Sequence, residues 1–318
     1  MSTKTYLVTG AAGFIGNHLA RYLASQGHRV VCVDVELHEN RDRMTELLKV
    51  PGIEYWRADL TDPANVAQLP QVDGVYHMAA LNGTQNFYSQ PFATMKHSTV
   101  PTILLLEHYA QWPLDFFFYA GSSESYASVV TRFGWEIPTG EDVPLGITDS
   151  RELRWSYGVS KIHGEVACFT AAAELGVPAV VGRFHNVYGP EMGTHHVIPD
   201  FIERGEKGVY SLYGATQTRS FIYIDDAVRA VVAVAENAVG EVVNIGSPDE
   251  VSMIDLAQTI MDQAGWAGQI EQFDAPSNSV ERRAPKVERL GELIDTRGFV
   301  PLSEGIHRVL VSLGIAAD

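Results

Sequence analysis

The sequence predicts an α/β fold, a doubly wound parallel sheet of Rossmann type with a smaller C-terminal α/β lobe. Short apolar runs that read as buried strands alternate with longer helical patterns over residues 1–184, the rhythm of a parallel sheet covered on both faces. The first run closes in the turn Thr9-Gly10-Ala11-Ala12-Gly13-Phe14-Ile15-Gly16 and opens a helix. After Phe184 the elements shorten and Gly and Pro punctuate more often, as expected of an intermittent lobe that caps the sheet.

Tyr6-Leu7-Val8 gives the first strand, and Phe14–Ser25 a helix with Ile15, Leu19 and Leu23 on one face. Arg29–Val33, Ile53–Arg57, Gly74–Met78 and Phe116–Tyr119 read as strands two to five, and Val177–Arg183 as the sixth. Helices are expected at Thr94–Ala110 and Tyr157–Glu174, then in the lobe at Val197–Arg204, Asp226–Glu236 and Ser252–Ala264. The expected division is 1–184, with part of 220–247, as the dinucleotide-binding domain and 185–318 as mostly a substrate lobe. The span 128–149, with Trp135, Pro138, Gly140 and Pro144, is long for a connection and suggests a lid or pocket wall.

Composition narrows the function. The 318 residues are 46% hydrophobic and 19% charged, ordinary for a globular protein. A formal net charge of −16 argues against nucleic acid, since nothing would supply the phosphate contacts. Local arginines and helix N-termini still allow a phosphorylated small ligand. The two cysteines, Cys32 and Cys168, fit buried apolar positions and offer no disulfide framework or metal spacing. No signal peptide or apolar run approaching the roughly 18–20 residues of a membrane span is visible, so a cytoplasmic protein is expected.

In the glycine turn, Gly10 permits the tight bend, Gly13 lets the backbone approach a pyrophosphate, and Gly16 allows close helix–strand packing. The helix beginning at Phe14 and Ile15 points free N–H groups at the phosphates. Asp34, ending the second strand, would accept from the adenosine ribose hydroxyls and repel a 2′-phosphate, favouring NAD over NADP. Asp59 and Leu60 are expected near the adenine, though Asp59 equally suits a helix cap. Ala79, after the fourth strand, completes the cofactor set.

Tyr157 and Lys161 lie four apart on one helix face. A lysine ammonium and a positive nicotinamide would lower the phenol's pKa, so that Tyr157 takes a sugar hydroxyl proton as the hydride moves to NAD. Ser122, just past the fifth strand, could hydrogen-bond the same hydroxyl. Together with Gly121–Tyr126, Tyr157–Lys161, Arg183–Pro190, Arg219–Asp226, Asn244-Ile245-Gly246 and Arg283-Ala284-Pro285, the chain resembles the extended short-chain dehydrogenase/reductase family that modifies nucleotide-sugars.

That resemblance implies transient oxidation of a nucleoside-diphosphate sugar at C4, and a homodimer. It also implies roles at the substrate for Ser123, Asn186 and Arg219, the last at the diphosphate. Glu124 discriminates among outcomes. The Ser-Glu step resembles UDP-glucuronate decarboxylases and GDP-mannose 4,6-dehydratases, where the acid serves as acid/base or orients the sugar. The segments 86–96 and 280–287 resemble the decarboxylases, and Arg283 could pair with a diphosphate or a substrate carboxylate. The segments 183–186, 217–221, 243–247 and 251–253 resemble GDP-mannose 3,5-epimerase, which has a cysteine at the position of Glu124 and a lysine near His195 or His196. The chain also departs from the family at Ser98, Pro101 and Ala127. His196 is weighed at the sugar or diphosphate, and no metal is expected because no third ligand accompanies His195-His196. Asp225-Asp226 is read as a helix cap. Decarboxylation of a glucuronate-type sugar is narrowly preferred, with epimerisation or dehydration as alternatives. A non-catalytic NAD or nucleotide-sugar sensor is the rival from another class.

Overall fold

The computed structural model describes residues 2–35, 41–194, 196–275 and 280–317. In chain order the first part comprises β1 (Thr5–Thr9), α1 (Phe14–Ser25), β2 (Arg29–Asp34), α2 (Arg41–Leu47), β3 (Ile53–Arg57), α3 (Pro63–Val66) and β4 (Gly74–His77). It continues with α4 (Thr84–Ser89), α5 (Pro91–Tyr109), β5 (Phe116–Ser122), α6 (Ala127–Phe133), α7 (Trp155–Leu175) and β6 (Ala179–Phe184). Shorter elements follow: β7 (Val187–Tyr188), α8 (Val197–Glu206), β8 (Ser211–Tyr213), β9 (Thr218–Ser220), β10 (Ile222–Tyr223) and α9 (Ile224–Asn237). The rest are β11 (Val242–Ile245), β12 (Glu250–Ser252), α10 (Met253–Ala264), β13 (Glu271–Phe273), β14 (Arg282–Arg283), α11 (Glu288–Leu293) and α12 (Leu302–Ser312).

Seven strands form one parallel sheet in the order β11-β6-β5-β4-β1-β2-β3. The central strands are buried on both faces because helices cover both, while the edge strand β3 carries exposed Glu54 and Arg57. In β5, Phe116 and Phe118 enter one core with Leu19 of α1 and Val231 of α9, while Phe117 and Tyr119 enter the other with Leu105 of α5 and Cys168 of α7. The chain reverses direction across the sheet between β1 and β4, and ligands of open parallel sheets bind at the carboxyl ends beside such a switch point.

The helix and strand readings hold with shifted ends. β5 runs on to Ser122 because Ala120, Gly121 and Ser122 continue the ladder against Gly182, Arg183 and Phe184. Ser122 is therefore the last ladder residue, not a residue beyond the strand. α5 starts earlier than Thr94, with Pro91 in its first turn, where its missing N–H costs nothing. Pro101 is accommodated inside the same helix. α9 begins at Ile224, so Asp225 and Asp226 lie in its first turn, and Tyr223 occupies the cap position without a side-chain bond. Asp226 instead accepts from the Val300 amide at 2.6 Å and pairs with Arg229.

The span 128–149 is stitched down. Thr139 bridges Pro285, its amide donating to Ala284 O and its carbonyl accepting from Lys286 N, each at 2.9 Å. Arg183 donates to Glu141 O, and the Glu141 carboxylate accepts from Asn244 N, also at 2.9 Å. The small sheet β12-β9-β14 places Arg219 directly beside Arg283.

Candidate active site and its family

The glycine turn has the geometry that a dinucleotide requires. Gly10 adopts φ +70°, and a Cβ there would stand 2.9 Å from the backbone of Ala79. At Gly16 a Cβ would fall 2.3 Å from Gly10 O, so no other residue lets α1 start this close to β1. Asp34 reaches across the turn and accepts from Ala12 N at 2.8 Å. Burial raises its pKa to about 6, although the amides of Ala12 and Val35 counter this. Ribose hydroxyls bonded to the ionised form would favour the charge. Ala79 donates its amide to Thr9 Oγ1 at 3.1 Å, and the same hydroxyl bonds His77 Nδ1 at 2.8 Å. His77 is fully buried, and burial followed by the Lys161 charge lowers its pKa to about 3, leaving it neutral.

The two residues expected near the adenine lie just after β3. Asp59 accepts from both the amide and hydroxyl of Thr61, at 2.9 and 2.8 Å, closing a turn, and the α3 cap is Asp62. Leu60 packs in the core below Val31, Val33 and Leu105.

Tyr157, Lys161 and Ser122 converge at the end of β5. Tyr157 is buried, and its phenol is hydrogen-bonded to Ser122. The Lys161 ammonium does not touch the phenol. It lies 5.4 Å from the Tyr157 ring centroid and donates to Ala120 O at 2.7 Å. Burial pushes the phenol well above its ordinary pKa, against the bond from Ser122, while burial lowers Lys161 to about 8 against the opposing charge of Glu165. In the protein alone burial outweighs the influences that lower the phenol, and the positive charge of a bound nicotinamide would act against that burial together with Lys161. Phe87 of α4 stacks on Tyr157, with centroids 4.9 Å apart and planes 13° from parallel.

Ser122 caps the following turn by accepting from Glu124 N at 3.2 Å, which leaves the side chain of Glu124 for other partners. Its carboxylate accepts from Arg283 Nη1 at 2.7 Å and lies 3.5 Å from Arg154 Nη2. Burial favours the neutral acid, but the two guanidiniums outweigh it and hold Glu124 below the usual carboxylate range. Arg154 was not legible as a site residue. One signal existed: a cation at the N-terminus of a helix opposes its dipole and asks for an anionic partner.

The other expected substrate residues are scattered. Ser123 is buried in the turn after Ser122. Arg219 does not project into open space. It donates to the carbonyls of Thr218, Val280 and Glu281, and burial, then the neighbouring Arg283, lowers it to about 10. Asn186, at φ +31°, donates to Ser220 O at 2.9 Å, tying the lobe's strands rather than facing outward through its amide. His196 takes the cap position of α8 without a side-chain cap bond, and His195 lies outside the described residues. The Ser98 hydroxyl is buried without a hydrogen-bond partner.

The family model for the NAD-dependent epimerase/dehydratase family matches residues 6–246. The chain belongs to that family. Its relatives in the family catalyse different reactions. UDP-glucuronic acid decarboxylase 1 of Xenopus tropicalis is 29% identical over 96% of this chain and 71% of its own length. GDP-mannose 3,5-epimerase 1 of Oryza sativa subsp. indica is 31% identical over 80% of this chain and 67% of its own. The crystal structure of UDP-glucuronic acid 4-epimerase from Bacillus cereus, in complex with UDP-glucuronic acid and NAD, superposes with a TM-score of 0.84 at 26% identity, covering 98% and 99% of the two chains. The chain is accordingly an NAD-dependent enzyme of the epimerase, dehydratase and decarboxylase group. Among the described residues, no helix is long and apolar enough to cross a membrane.

Proposed function

We propose that this family member decarboxylates a nucleoside-diphosphate glucuronate through transient oxidation at C4. The supporting observation is Glu124 held between Arg283 and Arg154, with Arg219 alongside. Two guanidiniums grip one carboxylate, with a third arginine on the neighbouring strand, in a protein whose net charge is −16. Such a local excess suits a ligand with an anion in addition to its diphosphate.

The chemistry agrees with the charge states. Bound NAD, cradled by Gly10, Gly13, Gly16 and Asp34, supplies the acceptor and later the donor of the C4 hydride. Tyr157 takes the O4 proton and afterwards returns it, with Ser122 orienting that hydroxyl. A 4-ketone makes the C5 carboxylate a β-keto acid. The C5–carboxylate electron pair then moves into the enolate, carbon dioxide leaves, and a proton replaces it at C5. This step needs no acid on a leaving hydroxyl. Loss of water needs one, and Glu124, the carboxylate at the strand end, is kept ionised by its arginines. A bond from Arg283 to the substrate carboxylate would hold it, with Glu124 as the orienting anion.

Release of labelled carbon dioxide from carboxyl-labelled UDP-glucuronate tests the reading. Arg283→Gln should lower kcat/KM by about thirtyfold or more, the cost of unpairing a buried charge. Absence of release from any nucleoside-diphosphate glucuronate would overturn it. Epimerisation is the second reading, favoured by the 4-epimerase superposition and the 3,5-epimerase relative.

We further propose a homodimer formed through α5 and α7. These adjacent helices expose Phe92, Met95, Ile103 and Val166, with Phe92 82% accessible, an apolar area that a second copy would cover. Light scattering should give twice the chain mass, and Val166→Glu should shift it toward the monomer. A monomeric wild type would contradict the dimer.

A further inference from the structure

Glu124 is gripped from two bodies. Arg283 comes from β14 in the small sheet of the C-terminal part and bonds one carboxylate oxygen at 2.7 Å. Arg154 faces the other oxygen at 3.5 Å and immediately precedes α7, three residues before Tyr157. Its guanidinium stands over Trp155, 4.4 Å from the ring centroid, a contact that restricts its swing. Both arginine side chains are largely shielded, 13% and 23% exposed. The charged and titratable groups around Glu124 are Arg283 from β14, Arg154 just before α7 and Tyr157 within it, with the charge of Arg219 on β9 nearby.

We propose that Arg154 is a positioning residue that holds Glu124 as an aligned carboxylate beside Tyr157 once the substrate's anion engages Arg283. This rests on the decarboxylase reading only in naming the anion. When a substrate carboxylate neutralises Arg283, Glu124 loses its nearest counter-charge in a desolvated site. Burial would then favour protonation of Glu124. Arg154 occupies the cap position of the helix that carries Tyr157 and Lys161, so its grip does not depend on the substrate. It keeps Glu124 charged, fixed relative to the phenol, and able to orient the sugar.

The test is the pH profile of kcat for Arg154→Gln and Arg154→Lys in the NAD-loaded enzyme, with UDP-glucuronate. Removing a cation raises a carboxylate's pKa, so the acid limb in Arg154→Gln should move up by about one pH unit. Arg154→Lys should return most of the shift, with KM changing less than kcat in both. Because the limb is read on whichever product forms, an epimerised product would sink the decarboxylase reading and leave this one standing. If turnover is too slow to profile, the glutamate side-chain carbon resonance absent from Glu124→Gln reads the same titration in the NAD complex with UDP-glucuronate bound. A limb or resonance that titrates as in wild type in Arg154→Gln, or a rise in KM alone, would overturn the proposal.

Discussion

Replacing Tyr157 with Phe should lower turnover by roughly 10²–10⁴-fold while leaving NAD binding intact. The substitution removes only the hydroxyl that Ser122 bonds, and the phenyl ring left at that position would keep the stacking with Phe87. The glycine turn and Asp34 lie on β1, α1 and β2, so cofactor affinity should change little. Because burial pushes the phenol up and Lys161 is bonded to Ala120 O, phenolate absorbance should appear at lower pH after NAD is added. Isothermal titration and ultraviolet difference spectra check both statements. Unchanged turnover in Tyr157→Phe would remove Tyr157 from the chemistry, and a phenolate indifferent to NAD would remove the electrostatic explanation.

Arg183→Leu should cost about 3–5 kcal/mol, or roughly 5–10 °C in melting temperature. Arg183 on β6 makes a bidentate pair with Glu165 on α7, with bonds of 2.9–3.2 Å, and the two side chains are 4% and 3% exposed. Removing the guanidinium leaves the Glu165 carboxylate with only the Ser125 hydroxyl among its hydrogen bonds from this network, and also frees Glu141 O. The double substitution Arg183→Leu, Glu165→Leu should recover much of the loss, since no buried charge then remains unpaired. Calorimetry that finds the single variant as stable as wild type would show that the pair is not desolvated. Because Glu165 also raises Lys161, the double variant should lose activity even where it regains stability.

The parts of this molecule that are local in sequence were legible in it. The glycine turn needs only a strand, three glycines and a helix start, all within residues 5–25. Tyr157 and Lys161 share a helix face by spacing alone. Asp34 follows from the end of β2. What sequence could not show was set by distant pairings. Nothing local announces that Arg283 reaches Glu124 across 159 positions, or that Arg154 joins them. Arg219 reads as a free cation until the carbonyls of Val280 and Glu281 are seen to take its guanidinium. The span 128–149 reads as a lid because its partners at 284–286 are equally far away. Asp225 and Asp226 have cap-forming side chains, yet Asp226 serves the Val300 amide because α9 begins before them, at Ile224.

The choice among reactions turns on whether the C5–carboxylate bond breaks, and mass spectrometry of the product formed in D₂O reads that directly. The purified protein with NAD would be offered UDP-, GDP-, CDP- and dTDP-sugars, glucuronates included. Decarboxylation predicts a product that has lost carbon dioxide and carries one deuteron at C5. A product that keeps its carboxylate carbon, whether of unchanged mass or heavier by exchanged deuterons, or one that has lost water, would contradict it.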